Sequence, residues 1–237
     1  MPNAAASVAA LAFGLAVALG LAQPALAQTA GPVPLTFGVG AATDYEFRGI
    51  SQTRNRPNAF ASLDAELGAL GYAGAWASNV DFGDGTRAEV DLYGGVRPKL
   101  GPVTLDLGFV RYLYAGQRAG PHADYTELKV APSMALGPAT FGAAWLHSED
   151  FFRRSGPSNY LEANASLPIG ASPFSVSGAV GRQEVRGPGD YTTWNLGLSY
   201  AFRRHLGFDL RYWDTSAHGL GSVYDAKLVL GLKATFP

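Results

Sequence analysis

Towards its C-terminal end the chain alternates strictly: Tyr224, Ala226, Leu228, Leu230, Leu232, Ala234 and Phe236 interleave with Asp225, Lys227, Val229, Gly231, Lys233 and Thr235. One face is apolar and the other carries three charges, the two-residue period of a β-strand between two different environments. The same period recurs upstream. Arg87, Glu89, Asp91, Tyr93 and Arg97 interleave with Ala88, Val90, Leu92 and Val96, and Leu206, Phe208, Leu210 and Tyr212 with Gly207, Asp209, Arg211 and Trp213. Residues 160–167 and 193–200 repeat the pattern, and less regular stretches at 34–43, 58–67, 72–81, 103–114, 124–132, 139–147 and 173–182 fill the gaps. The reading is twelve strands.

The linkers between them alternate in kind. Gly68–Gly71, Pro98–Pro102, Ser133–Pro138, Pro168–Ser172 and Ala201–Arg204 are short, whereas 44–57, 115–123, 148–158, 183–190 and 214–222 are longer and more polar, with 82–86 the one short member of that set. Short turns at one end and long loops at the other, joining an even number of strands of about ten residues, predict an all-β, antiparallel up-and-down transmembrane β-barrel. Tyrosines near strand ends (Tyr72, Tyr114, Tyr160, Tyr191, Tyr200, Tyr212, Tyr224) are expected to form its interfacial girdles. A soluble periplasmic barrel alternates too, with the faces exchanged.

An N-terminal address label supports the membrane reading. No ionisable side chain precedes Asp44, residues 4–22 are almost wholly apolar, and Ala25-Leu26-Ala27 fits a small-x-small cleavage site. The expected division is therefore a signal peptide at 1–27 and an outer-membrane barrel at 28–237, although Met1-Pro2-Asn3 lacks the usual basic side chain. Composition agrees. Only 16% of residues are charged, 30 are glycine, 12% are aromatic, and net charge is −1, which disfavours a nucleic-acid partner. The absence of cysteine removes thiol catalysis, disulfides and Cys-ligated metals, and no cofactor is expected.

Asp44-Tyr45-Glu46-Phe47-Arg48-Gly49-Ile50-Ser51-Gln52-Thr53, with Pro57 beyond it, resembles the N-terminal signature of the TorF-like porin family, also called Gcw_chp. Tyr72–Asp81 is similar to that family's second block and Glu89–Gly95 to its third. The resemblance implies a Gram-negative outer-membrane barrel, a porin by fold, with no particular solute attached. Phe236 resembles the final aromatic read by the barrel-assembly machinery.

By strand parity the lumen carries Asp64, Glu66, Glu89, Asp91, Asp106, Glu127, Glu162, Asp209 and Asp225 against Arg87, Arg97, Lys129, Arg211, Lys227 and Lys233, an acidic excess of roughly three charges. Interior charges must be paired or hydrated. Among them Glu89, Asp91, Glu127, Lys129, Glu162, Asp209 and Arg211 are candidate pore-lining residues. Arg48, Arg54 and Arg56 in the first long loop are candidates for a constriction if that loop folds inward, and for contact with lipopolysaccharide if it does not. An inward ring of arginines favours anions and the acidic wall favours cations; the loop is expected to dominate, because fields are strongest where a pore narrows. His147-Ser148-Glu149 invites an acylhydrolase reading, but neighbours on a strand point to opposite faces and do not meet. The expected function is passive diffusion of ions or small polar solutes through a narrow pore, without enzymatic chemistry. A plugged structural barrel is the alternative.

Overall fold

The computed structural model describes residues 33–118, 120–186, 189–203 and 205–237. The expected cleavage site after Ala27 lies outside them. Twelve long strands form the wall: β1 (Leu35–Ala42), β2 (Asn58–Leu67), β3 (Gly71–Asn79), β4 (Ala88–Val96), β5 (Val103–Ala115), β6 (Tyr125–Leu136), β7 (Ala139–Ser148), β8 (Ser158–Pro168), β9 (Phe174–Val185), β10 (Tyr191–Phe202), β11 (Leu206–Thr215) and β12 (Lys227–Phe236). Each pairs antiparallel with its neighbours in sequence, and β1 pairs with β12, so the sheet closes on itself. That closing seam runs from Phe37↔Phe236 to Ala42↔Gly231, shorter than the Ser158–Pro168 ladder of β8 on β9. Lys99–Leu100 adds a short extension that pairs only with the base of β5. Closure leaves no unpaired edge, which a sheet in lipid requires.

The two faces separate by parity. On β12, Leu228, Leu230 and Leu232 are exposed on the outside while Val229 and Gly231 are buried within; on β11, Phe208, Leu210 and Tyr212 alternate outward with inward Asp209, Arg211 and Trp213. Apolar side chains thus cover the outside and charged ones line the inside, the inverse of a soluble barrel. Outward rings gather at the short-turn end, where Tyr200 packs on Phe174 at 4.8 Å and Phe202 on Phe208 at 6.4 Å. This is an aromatic girdle.

Several sequence expectations need correction. Of the tyrosines assigned to girdles, Tyr72, Tyr160 and Tyr191 are buried inside, Tyr114 packs inward on Tyr125, and Tyr224 sits in a short 3-10 turn. Their hydroxyls explain this: Tyr72 donates to Asp106 at 2.7 Å and Tyr160 to Glu162 at 2.8 Å, partners that a lipid interface cannot offer. β12 begins at Lys227, so Asp225 is exposed in the loop and leaves the lumen inventory, as does Arg87, which is exposed just before β4. The linker expected at 183–190 shrinks to 186–190. Asp190 ties that turn down, accepting the Val185 N–H at 2.9 Å and pairing with Arg182 at 3.2 Å.

Candidate functional site

The first long loop does not stay outside. Asp44 organises its base: one carboxylate oxygen accepts the Ser51 hydroxyl at 2.7 Å, the Thr53 hydroxyl at 2.6 Å and the Tyr45 N–H at 2.8 Å. Above it Glu46–Phe47 and Ile50–Ser51 pair as a miniature ribbon whose turn is Arg48-Gly49, both with positive φ (53° and 80°). Two consecutive left-handed residues make the tightest hairpin, and glycine is the natural second one. At Gly49 the tip has no room for a side chain. A Cβ on Gly49 would collide with the Thr193 hydroxyl of β10 and lie 2.7 Å from a Thr215 methyl of β11.

Arg48 is the anchor. Its guanidinium grips both oxygens of Glu127 on β6, at 2.9 and 2.6 Å, and donates to Gln183 on β9 at 2.6 Å. It stacks over Tyr160 of β8 at 4.1 Å and Phe47 at 4.6 Å, while Tyr112 of β5 donates to Glu127 at 3.1 Å. Both members of the ion pair are buried, with 6% and 0% of their side chains exposed. A bidentate pair completed by extra hydrogen bonds is the arrangement that makes a buried charge tolerable. At the stem, Lys227 of β12 lies 3.3 Å from Glu46 and donates to Asn55 at 2.9 Å. Tyr45 donates to Glu89 of β4 at 3.0 Å and tilts against Trp76 of β3 at 5.0 Å. The ribbon therefore meets wall positions on β3 to β6 and on β8 to β12. It crosses the lumen.

The other candidate residues fall in three groups. Arg54 and Arg56 stay at the exposed rim, where Arg56 pairs weakly with Asp81 at 3.4 Å, so the three arginines do not form a ring. The inward strand residues build ladders along the wall. Arg211 lies flat across Gly197 and binds Asp209 at 3.1 Å, Asn195 at 2.6 Å and Ser177 at 2.8 Å; a Cβ on Gly197 would come within 2.6 Å of the guanidinium. Lys129 and Arg97 converge on Asp106 at 3.0 and 3.4 Å, and Glu162 is held by Tyr160 and by Asn164 at 2.9 Å. Glu89 and Asp91 are buried beside the ribbon. His147 faces outward, bonded to Asn159 at 3.0 Å, while the Ser148 hydroxyl points inward and is buried, so the two do not meet.

Sequence reasoning passed over Tyr45, Glu46, Gln183 and Tyr160 as site residues. Inward parity on β8 and β9 was the available signal for the last two.

Comparison with known proteins places this geometry. The family model described as "bacterial protein of unknown function (Gcw_chp)" matches residues 26–236. The barrel is similar to that of the KdgM porin, with a TM-score of 0.62 at 7% identity, covering 85% of this chain and 99% of that one. A structure of the KdgM porin in complex with disordered oligogalacturonate gives 0.61 at 7% identity, covering 86% and 99%. The NanC porin gives 0.59 at 12% identity, covering 86% and all of that chain. At such identities the likeness is one of fold. No curated protein matches the chain in sequence.

Proposed function

The chain belongs to the Gcw_chp family of bacterial proteins of unknown function, and we propose that it is a non-enzymatic outer-membrane channel for passive diffusion of ions or small polar solutes. The carrying observation is a closed barrel, apolar outside, whose charged lumen is narrowed by the 44–57 ribbon latched through Arg48 and Glu127. The porin-fold neighbours support the same class. Arg48, Glu127 and Gln183 are the proposed constriction, with Arg211, Asp209, Lys129 and Glu162 lining the path and Arg54 and Arg56 at the mouth, facing lipopolysaccharide. Export through a signal peptide ending at Ala27 and insertion by the barrel-assembly machinery belong to the same proposal. N-terminal sequencing of membrane-fraction protein is expected to return Gln28; Met1 would overturn the leader.

The refolded protein in a planar bilayer is expected to pass discrete single-channel currents. A second reading, a plugged structural barrel, is favoured by the ribbon's reach across the lumen. A silent bilayer, with protein shown to be inserted, would decide for it.

The ribbon's seating is expected to depend on pH. Burial pushes the Glu46 carboxyl up to about 9, Lys227 opposing and Asp44 reinforcing the shift. With the ribbon out in water Glu46 returns to its ordinary 4.5. Between those values the seated state holds a proton that the released state has lost, so seating weakens as pH rises through that window. Conductance is therefore expected to be greater at pH 9 than at pH 5, with the dependence flattened in Glu46→Gln. A wild-type conductance independent of pH would contradict this.

A further inference from the structure

Most inward bases are already engaged: Arg48 by Glu127, Lys129 and Arg97 by Asp106, Arg211 by Asp209, and Lys227 by Asp44. The β4 carboxylates are different. Glu89 and Asp91 are 1% and 0% exposed, and among the described residues no base lies within ion-pair distance of either. Glu89 accepts one hydrogen bond, from Tyr45. Its second oxygen and both oxygens of Asp91 have no donor.

Strand register says what surrounds them. Asp91 stands opposite Trp76 on β3 and Tyr112 on β5, and Glu89 opposite Ser78 and Tyr114. The Tyr45 ring closes the group against Trp76. Two adjacent buried carboxyls without a counter-charge lower the cost of burial by sharing a proton, and a positive group that joins them can take the proton's place.

We propose that Glu89 and Asp91 form a seat for the ammonium group of a small organic cation, with Trp76 as its aromatic wall. A primary ammonium has three N–H donors and no acceptor, and the seat has three acceptor atoms without donors. The face of Trp76 complements a cation in a desolvated place. A divalent metal suits the seat less, since it calls for six or more oxygen ligands, and no cluster of three metal-ligating side chains occurs among the described residues. At rest Tyr45 covers the seat. The ligand enters as Tyr45 swings aside with the ribbon, which also frees the Glu89 oxygen that the phenol had held.

The inference rests on the channel reading for the route of entry and narrows that reading to a class of solute. The probe is n-butylammonium chloride at pH 8, titrated calorimetrically into the full mature chain folded in detergent, with potassium currents recorded in parallel. Wild type is expected to bind the probe and to be blocked by it. Asp91→Asn and Glu89→Gln are each expected to weaken binding by about tenfold or more, the loss of a charged hydrogen-bond partner. Asp225→Asn, an exposed loop carboxylate away from the seat, is expected to bind like wild type. Absence of binding, or equal affinity in wild type and Asp91→Asn, overturns the site. Should Asp91→Asn fail to fold, Glu89→Gln carries the same comparison. Binding without any current keeps the site and overturns the channel; current without binding does the reverse.

Discussion

Glu127→Ala is expected to unlatch the ribbon and raise single-channel conductance. The substitution leaves the Arg48 guanidinium buried against Gln183 and Tyr160 with no negative partner. Breaking one side of a buried, hydrogen-bonded ion pair costs about 3–5 kcal/mol. Tenfold in an equilibrium is about 1.4 kcal/mol, so even the lower figure changes the seated-to-released ratio by about a hundredfold. The ribbon can escape that cost where a core residue cannot, because its release hydrates Arg48 without opening the wall. Arg48→Ala combined with Glu127→Ala is expected to be less damaging to thermal stability than Glu127→Ala alone, since no charge is then stranded. Unchanged conductance in Glu127→Ala would show that the latch does not control the passage. A double variant worse than the single one would show that the pair is not the anchor.

The second large effect tests the outside of the barrel. Leu230 faces outward on β12, 49% exposed, and its register partner Leu210 lies at the centre of β11. Leu230→Arg is expected to cost about 2–4 kcal/mol in a refolding titration from lipid, as an arginine near the midplane must be dragged to an interface or hydrated there. Lys233→Gln, inward on the same strand, is expected to cost a small fraction of this. The reverse order would mean that the apolar face is the interior.

How far the sequence discloses the molecule follows from where each piece of information resides. Strand parity is local: the alternation of Leu228, Leu230 and Leu232 with Lys227, Val229 and Gly231 states the inward set before any pairing is known, and it is the set observed. Strand ends are less local. Tyr224 continues the β12 alternation in sequence, yet it belongs to a 3-10 turn, because its carbonyl accepts the Thr215 hydroxyl across the loop at 2.8 Å. The lumen tyrosines were misassigned for a similar reason, since a phenol's partner is a carboxylate on another strand. The ribbon's path is the least local feature. Arg48 is marked as special by its setting in the family signature, but its partners lie 79 and 135 residues further along the chain. Nothing near Arg48 encodes whether it turns inward to Glu127 or remains at the rim with Arg56.

The seam between β1 and β12 carries a consequence for how the molecule comes into being. Eleven neighbouring ladders can zip as hairpins soon after their strands emerge, each closing a small loop of chain. The seam cannot, because Phe37 meets Phe236 from the far end of the polypeptide. Closing so long a loop returns nothing until the last pair registers, so it is expected to be the late and slow event of assembly. It is also among the shortest ladders, and the stem of the ribbon departs from its upper end, where the Thr43 N–H still donates to Leu230 at 2.9 Å. The joint that completes the wall and the segment that enters the lumen thus share one place, so sealing the cylinder and threading its interior are expected to fall in a single kinetic step.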